Sequence, residues 1–340
     1  MFGLGWLRAL TDARGLLEHA HHGVPRLGEG YTTDDNARAL LYLSLLPEGA
    51  RDEGLVRTYL AFLLHMQKED GRFRNGLTLD GRFEDEGEAE DPTGRAVLAL
   101  AAAQRLSPPY AGPAREALLR ALPALEGFTS LRGRAYALLG LLALPKEPFL
   151  EAAEALGEGL LRAFREAEPA WPYPGPLTYA NHRPVEALYA YGLAFRRREA
   201  VALARRALAF LKEHYFTPGE EGLFFDPVGN RFMERGGEKP LFDQQPIEAK
   251  CALLAHLRFG ERVLAEVAFL WFHGRNRLRA PLVDAFGPMD GLTPHGPNQN
   301  RGAEALLAYL LAWQALVQGV FPQVDEGVAL GRVFALGGRP

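Results

Sequence analysis

The run GYTTDDNARALLYLSLLP, residues 30–47, decides the fold through the long apolar stretch behind its polar head. After Asn36 nearly every position is small or apolar, the pattern of a helix buried on all sides. The same shape recurs as DPTGRAVLAL, LRGRAYALLG, RPVEALYAYG, QPIEAKCALL and RGAEALLAYL, so that echoes begin near residues 34, 91, 130, 183, 245 and 301. Amphipathic segments separate them, near 4–20, 55–67, 113–125, 149–166, 199–215 and 260–273. In EAVALARRALAFLKEHY, for example, Val201, Ala204, Leu208 and Leu211 mark one apolar face at helical spacing.

Six buried helices alternating with six half-buried ones predict an all-α fold, an (α/α)6 barrel in which an inner ring is wrapped by an outer one. A straight solenoid would carry more uniform repeats. The link from each buried helix to its amphipathic partner is short, whereas the returning links 68–90, 166–182, 216–244 and 274–300 are long. Long links gathered at one end of a rigid ring are where function usually sits. Two of them carry hairpin punctuation: Asp80-Gly81, a type I′ signal, and the stretch around Pro227 to Asn230. No Ser-, Gly- or Pro-rich linker divides the chain, so residues 1–320 read as one domain, with a Gly-rich tail at 321–340 left unplaced.

Composition narrows the function. A net charge of -4 leaves no basic excess for phosphate backbones, which argues against a nucleic-acid partner. Cys251 is the single cysteine, so a disulfide framework and a multi-cysteine zinc site are excluded. The opening MFGLGWLRALTDARGLLEHAHH lacks a basic n-region and a small-residue cleavage site, and no apolar run has the ~18 residues of a membrane span. A soluble, cytoplasmic protein is expected. No P-loop, dinucleotide fingerprint or Ser-His-Asp signature is present, and neither a cofactor nor a metal is expected. His19, His21 and His22 fall at the end of the first amphipathic segment, where a helix dipole favours imidazolium, with a spacing that matches no zinc motif.

The polar heads of the buried helices exceed what capping needs. One Ser, Thr, Asp or Asn suffices for an N-cap, yet residues 32–36 read Thr-Thr-Asp-Asp-Asn. Asp91 before Pro92 reads as a plain cap, and Glu186 and Glu248 at the third helical position suit the dipole. Asp34 and Asp35 cannot share a helix face, so one of them is free to face the barrel axis. Glu90 and Asp243 are likewise free of capping duty. In an (α/α)6 barrel these heads converge on one pocket. Asp34, Asp35, Glu90 and Asp243 are therefore the candidate catalytic carboxylates. Around them Asn36, Arg38, Asp91, Asn181, His182, Arg183, Gln244, Gln245, Asp290, His295, Asn298 and Asn300 are candidates for substrate contacts. Trp171, Tyr179 and Phe242, in the long links, are candidates for stacking on sugar faces.

At TTDDNARAL, DGRFRN, EDPTGRAVLAL, LTYANHRP, FDQQPIEA and DGLTPHGPNQNRGAEA the chain resembles the six-hairpin glycosidase-like (α/α)6 domains of uncharacterised bacterial carbohydrate proteins. The resemblance spans about residues 30–315 and implies a carbohydrate-directed function. The chain departs from that family's pattern at Ala180 (usually Asp), Ala89 (usually Ser) and Thr93 (usually His).

The leading expectation is a glycoside hydrolase of small oligosaccharides using paired carboxylates, with Asp34, Asp35 and Asp91 suited to the ionised role and Glu90 or Asp243 to the acid. A sugar epimerase would use pocket histidines, for which His182 and His295 are the obvious pair. A non-catalytic glycan-binding or regulatory domain is the third expectation, supported by the missing acid at Ala180.

Overall fold

In a computed structural model the described residues are 3–84 and 90–320, and they form twelve α-helices with short two-stranded sheets in the links between them. The six inner helices are α2 (Thr33–Leu45), α4 (Glu90–Ala102), α6 (Leu131–Leu141), α8 (His182–Ala194), α10 (Pro246–Arg258) and α12 (Ala303–Gln318). Each packs on the next, and α12 packs back on α2, which closes the ring. The Gln314 amide donates to the Tyr42 carbonyl across that seam at 3.3 Å. The outer helices are α1 (Leu4–Leu10), α3 (Glu53–Met66), α5 (Pro108–Leu125), α7 (Phe149–Glu166), α9 (Arg198–Tyr215) and α11 (Arg262–Leu270). The inner helices begin within two residues of the positions expected from the echoes. The closed ring replaces the solenoid alternative.

The all-round apolar character of the inner helices has its place in this arrangement. In α2 every residue from Asp35 to Leu45 is buried. α7, by contrast, buries Leu150, Ala153, Leu156, Leu160, Leu161 and Phe164 along one stripe and turns its Glu and Arg outward. Glycines set the width of one seam: a Cβ on Gly94 of α4 would fall 3.0 Å from the Gly133 Cα of α6 and closer still to its carbonyl oxygen. The two helices approach to backbone contact only because neither carries a side chain there.

Three expectations are corrected. α1 ends at Leu10, not near residue 20, because Asp12 Oδ1 accepts the Arg14 and Gly15 amides in an Asx-type turn. The Asp80-Gly81 hairpin forms, with Gly81 donating to Thr78 and lying at φ 88, but Asp80 keeps an ordinary φ. That is a type I turn closed by a left-handed glycine instead of a type I′ turn. In the 216–244 link the paired strands are Phe216–Gly219 and Gly222–Phe225, turning at Glu220-Glu221, while Pro227 to Asn230 is a loop. The tail 321–340 and Ala89 lie outside the described residues. No helix among the described residues is long and apolar enough to cross a membrane, and no cluster of metal-ligating side chains occurs among them.

Candidate active site at the barrel mouth

The five polar residues at the head of α2 have five separate tasks. Thr32 is the N-cap: its hydroxyl accepts the Asp35 amide at 3.2 Å and donates to Asp35 Oδ2 at 2.8 Å, so the side chains of the cap and of Asp35 are tied to each other. Thr33 donates its hydroxyl to the Arg74 carbonyl, which fastens the 68–90 link across the mouth. Asn36, fully buried, grips both backbone groups of Leu16 and pins the segment that follows α1. Asp35, with a side chain 5% exposed, takes Arg38 Nη1 on its remaining oxygen. Asp34 pairs with Arg95 of α4 and, with a side chain 21% exposed, is the more open of the two acids.

A chain of such pairs runs round the mouth, each joining one inner helix to the next. Glu304 of α12 takes Arg38 of α2 at 2.8 Å, and Asp34 of α2 takes Arg95 of α4. Asp91 of α4 takes Arg132 of α6 at 2.8 Å and the Tyr179 hydroxyl ahead of α8 at 2.8 Å. The Arg132 guanidinium stacks on the Tyr179 ring, 4.0 Å from its centroid. Burial opposes ionisation of Asp91, but Arg132 and the Ser130 hydroxyl prevail and hold it below the usual carboxylate range. Asp91 is thus a bridging group and not the plain cap expected of it.

Two carboxyls beside the α12–α2 seam behave in the opposite way. Glu18, with a side chain 34% exposed, is pushed up to about 7 by burial and by the charge of Asp35. Its carbonyl accepts the Ala303 amide, which seats it at the head of α12. Asp290 accepts the Gly302 amide at 2.5 Å and is raised by burial, with Glu304 and Asp35 adding repulsion. His19 lies beside them, its Nδ1 3.1 Å from the place a Gly302 Cβ would occupy.

Several expected site residues serve elsewhere. Glu90 is not free: its carboxylate accepts the Thr129 and Ser130 amides at 2.7 and 2.6 Å and so ties off the start of α6. Glu186 and Glu248 do not cap their own helices. Glu186 pairs with Arg183 at 2.5 Å and Arg258 at 3.0 Å, and Glu248 accepts the Ala180 amide. Burial pushes Glu248 up to about 8. Gln244 is a buried tie between Asp226 and Trp271. Asn181 is sealed between Thr178 and the Tyr215 hydroxyl. Trp171 packs on Phe210 and His214 of α9 and donates to the Gly175 carbonyl, outside the inner ring. His182 is fully buried against Tyr215 and His256, and burial holds it well below the usual imidazole range. His295 is exposed on the Leu292–Pro297 hairpin, so the expected histidine pair does not assemble. His19, His21 and His22 also differ from expectation, since α1 stops short of them. His21 lies in a short strand and meets Asn300 Oδ1 at 3.0 Å.

Asp243 is exposed in left-handed backbone (φ 57), and Phe242, Gln245 and Asn298 are partly exposed around it and the facing hairpin. Ala180, at φ 53, has its methyl in a small apolar cluster with Ile247 and Cys251. An Asp there would enter that cluster beside Glu248. Glu18, Arg95, Arg132 and Glu304 were missed in sequence. A signal existed for Arg95, because DPTGR repeats the Asp-x-x-x-Arg spacing of DDNAR, an i, i+4 pair on one inward face.

The sequence matches no protein-family model and no curated protein. Solved structures do match. A D-mannose isomerase superposes with a TM-score of 0.68 at 10% identity, covering 93% of this chain and 95% of that one. A cellobiose 2-epimerase from Spirochaeta thermophila gives 0.64 at 15% identity, over 93% and 92%. A GH76A α-1,6-mannanase from Salegentibacter gives 0.60 at 13% identity, over 93% and 98%. At these identities the likeness establishes the shared (α/α)6-barrel fold.

Proposed function

We propose that the protein acts on carbohydrate at the barrel mouth, hydrolysing a glycosidic bond of a small oligosaccharide. The observation that carries this reading is a pair of carboxyls in contrasting settings: Glu18, pushed up to about 7, and Asp34, ion-paired with Arg95. Glycoside hydrolysis needs one carboxyl that still holds a proton near neutrality and another that is ionised. In this scheme Glu18 protonates the leaving oxygen and Asp34 serves as base or nucleophile. Tyr179 offers a partly exposed ring for a sugar face, and Gln245, Asp243, Asn298, Asn300 and His295 offer hydroxyl partners along the rim. The proteins of like fold, named for mannose, cellobiose and mannan, guide the choice of substrates.

His19 favours a second reading, epimerisation or isomerisation of a sugar, because it brings an imidazole to the same mouth. Product analysis after incubation with mannobiose, cellobiose and mannose separates the two: cleavage yields monosaccharides, and epimerisation an isomer of unchanged mass. We expect cleavage that falls about a hundredfold or more in Glu18→Gln and in Asp34→Asn. Binding without turnover of any of these sugars would return the reading to the glycan-binding domain that Ala180 suggests.

A further inference from the structure

Below the ring of carboxylates the inner helices bring cations together. Arg38 of α2, Arg95 of α4, Arg183 of α8 and Lys250 of α10 are all 5% exposed or less. Arg95 and Arg183 flank one ring, that of Tyr136, with guanidinium carbons 4.7 and 5.6 Å from its centroid. The four charges act on one another: the Lys250 ammonium is pushed down to about 8, first by burial and then by Arg183, Arg38 and Arg95. Each arginine spends only terminal nitrogens on its carboxylate, Arg38 on Asp35 and Glu304, Arg95 on Asp34, Arg183 on Glu186. The Nε groups of all three are buried and unpartnered. Among the described residues no hydrogen bond or ion pair reaches the Lys250 ammonium. The nearest acid along the same helix, Glu248, sits at about 8 and supplies no counter-charge at neutral pH.

A buried charge without a partner, and buried N–H donors without acceptors, are among the costliest features a fold can carry. Four of them converging from four helices point to a ligand that satisfies them together. A neutral sugar hydroxyl would fill a donor but leave the charge. A tetrahedral oxyanion does both, offering several acceptor oxygens to charged donors. We propose that the floor of the barrel binds phosphate, either free or carried on a sugar whose remainder lies at the mouth, on Arg38, Arg95, Arg183 and Lys250. Only the sugar part of this rests on the carbohydrate reading above.

The test is calorimetric titration at neutral pH and constant ionic strength, using inorganic phosphate, mannose 1-phosphate, glucose 6-phosphate and uncharged mannose on the wild-type chain. Lys250→Met removes the charge at similar length and should fold at least as well, since it deletes an unpaired buried cation. We expect a phosphate-bearing probe to bind and the Met variant to weaken it about tenfold or more, with Lys250→Arg restoring affinity. Saturation by inorganic phosphate assigns the site to the free ion, and binding confined to a hexose phosphate assigns it to a charged sugar. Equal affinity in Lys250→Met, or no phosphate-specific binding to the wild type, overturns the proposal. Neutral-sugar turnover with no phosphate binding would do so while leaving the proposed function standing. Phosphate binding with no sugar turnover would support the site and count against the function.

Discussion

Replacing Asp34 and Asp35 separately by Asn should distinguish two adjacent acids by turnover, although each holds a buried arginine. Asp35 has a 5% exposed side chain, and its two oxygens are committed to Arg38 at 2.5 Å and the Thr32 hydroxyl at 2.8 Å. An Asn side chain can keep the Thr32 contact but turns an amide NH2, or a neutral oxygen, toward a guanidinium. Breaking a buried pair from one side costs about 3–5 kcal/mol. Arg38 retains Glu304 at 2.8 Å, which places the loss near the lower figure, about 3 kcal/mol. With an unfolding entropy of about 2 cal/mol/K per residue, that lowers the melting temperature of a chain this size by roughly 4 °C. Asp34 is different: it is the more exposed acid, and its own amide is held by Asn75 Oδ1 at 3.2 Å whatever the side chain. Asp34→Asn should lower turnover on a verified sugar by a factor of about 100 or more, the scale of losing an acid–base group. Its melting temperature should fall at least as far as that of Asp35→Asn, because Arg95, with a side chain 3% exposed, is left without a carboxylate whereas Arg38 keeps Glu304. Turnover, not stability, separates the two variants. Paired thermal melts and initial rates on both variants decide the matter. The reasoning fails if Asp34→Asn keeps full turnover, or if Asp35→Asn melts with the wild type.

Glu18→Gln should remove the alkaline limb of the rate profile, because a proton donor raised to about 7 loses its proton as pH climbs through that value; rates from pH 5 to 9 on both proteins check it. Glu248 has a folded pKa of about 8 against an ordinary 4.5, so the folded state binds the extra proton between those values and stability falls as pH rises through that window. Glu248→Gln should therefore gain on the wild type from pH 5 to pH 8 in denaturant unfolding, with no further gain above. Gly94→Ala, which in an ordinary helix would stabilise, should here destabilise by about 1–3 kcal/mol, because the new methyl meets the Gly133 backbone; urea titration gives the sign directly.

The ring was legible in the sequence because burial on all faces is written into composition: ARALLYLSLL and its echoes have no polar face to turn to water. Pro246 opens α10 as its first residue, whereas Pro92 and Pro184 mark their helix starts only to within two residues, and capping left one of Asp34 and Asp35 over without saying which. What escaped was whatever depends on partners distant in sequence. Glu90 looks unoccupied until α6 is laid beside α4, when its oxygens fall on the Thr129 and Ser130 amides. His182 stands next to the mouth in sequence, but as the first residue of α8 it is fully buried against Tyr215. Glu18 was hidden by a local pattern, since LLEHAHH reads as helix until the Asx turn at Asp12 and the Asn36 grip on Leu16 draw it out straight.

The contact between α12 and α2 also sets a timetable. Arg38 and Glu304 are 266 positions apart, and the carboxylates nearest that seam lack a finished setting until α12 has docked. On the ribosome, α2 through α10 emerge first and must wait as an open arc, with the apolar flanks of α2 and α10 uncovered at its two ends. Helix-by-helix addition can proceed locally, but closure is a single long-range event of the kind that slows folding. A chain halted before residue 303 would leave the flanks of α2 and α10 uncovered, which makes the docking of α12 the step that a chaperone would have to guard.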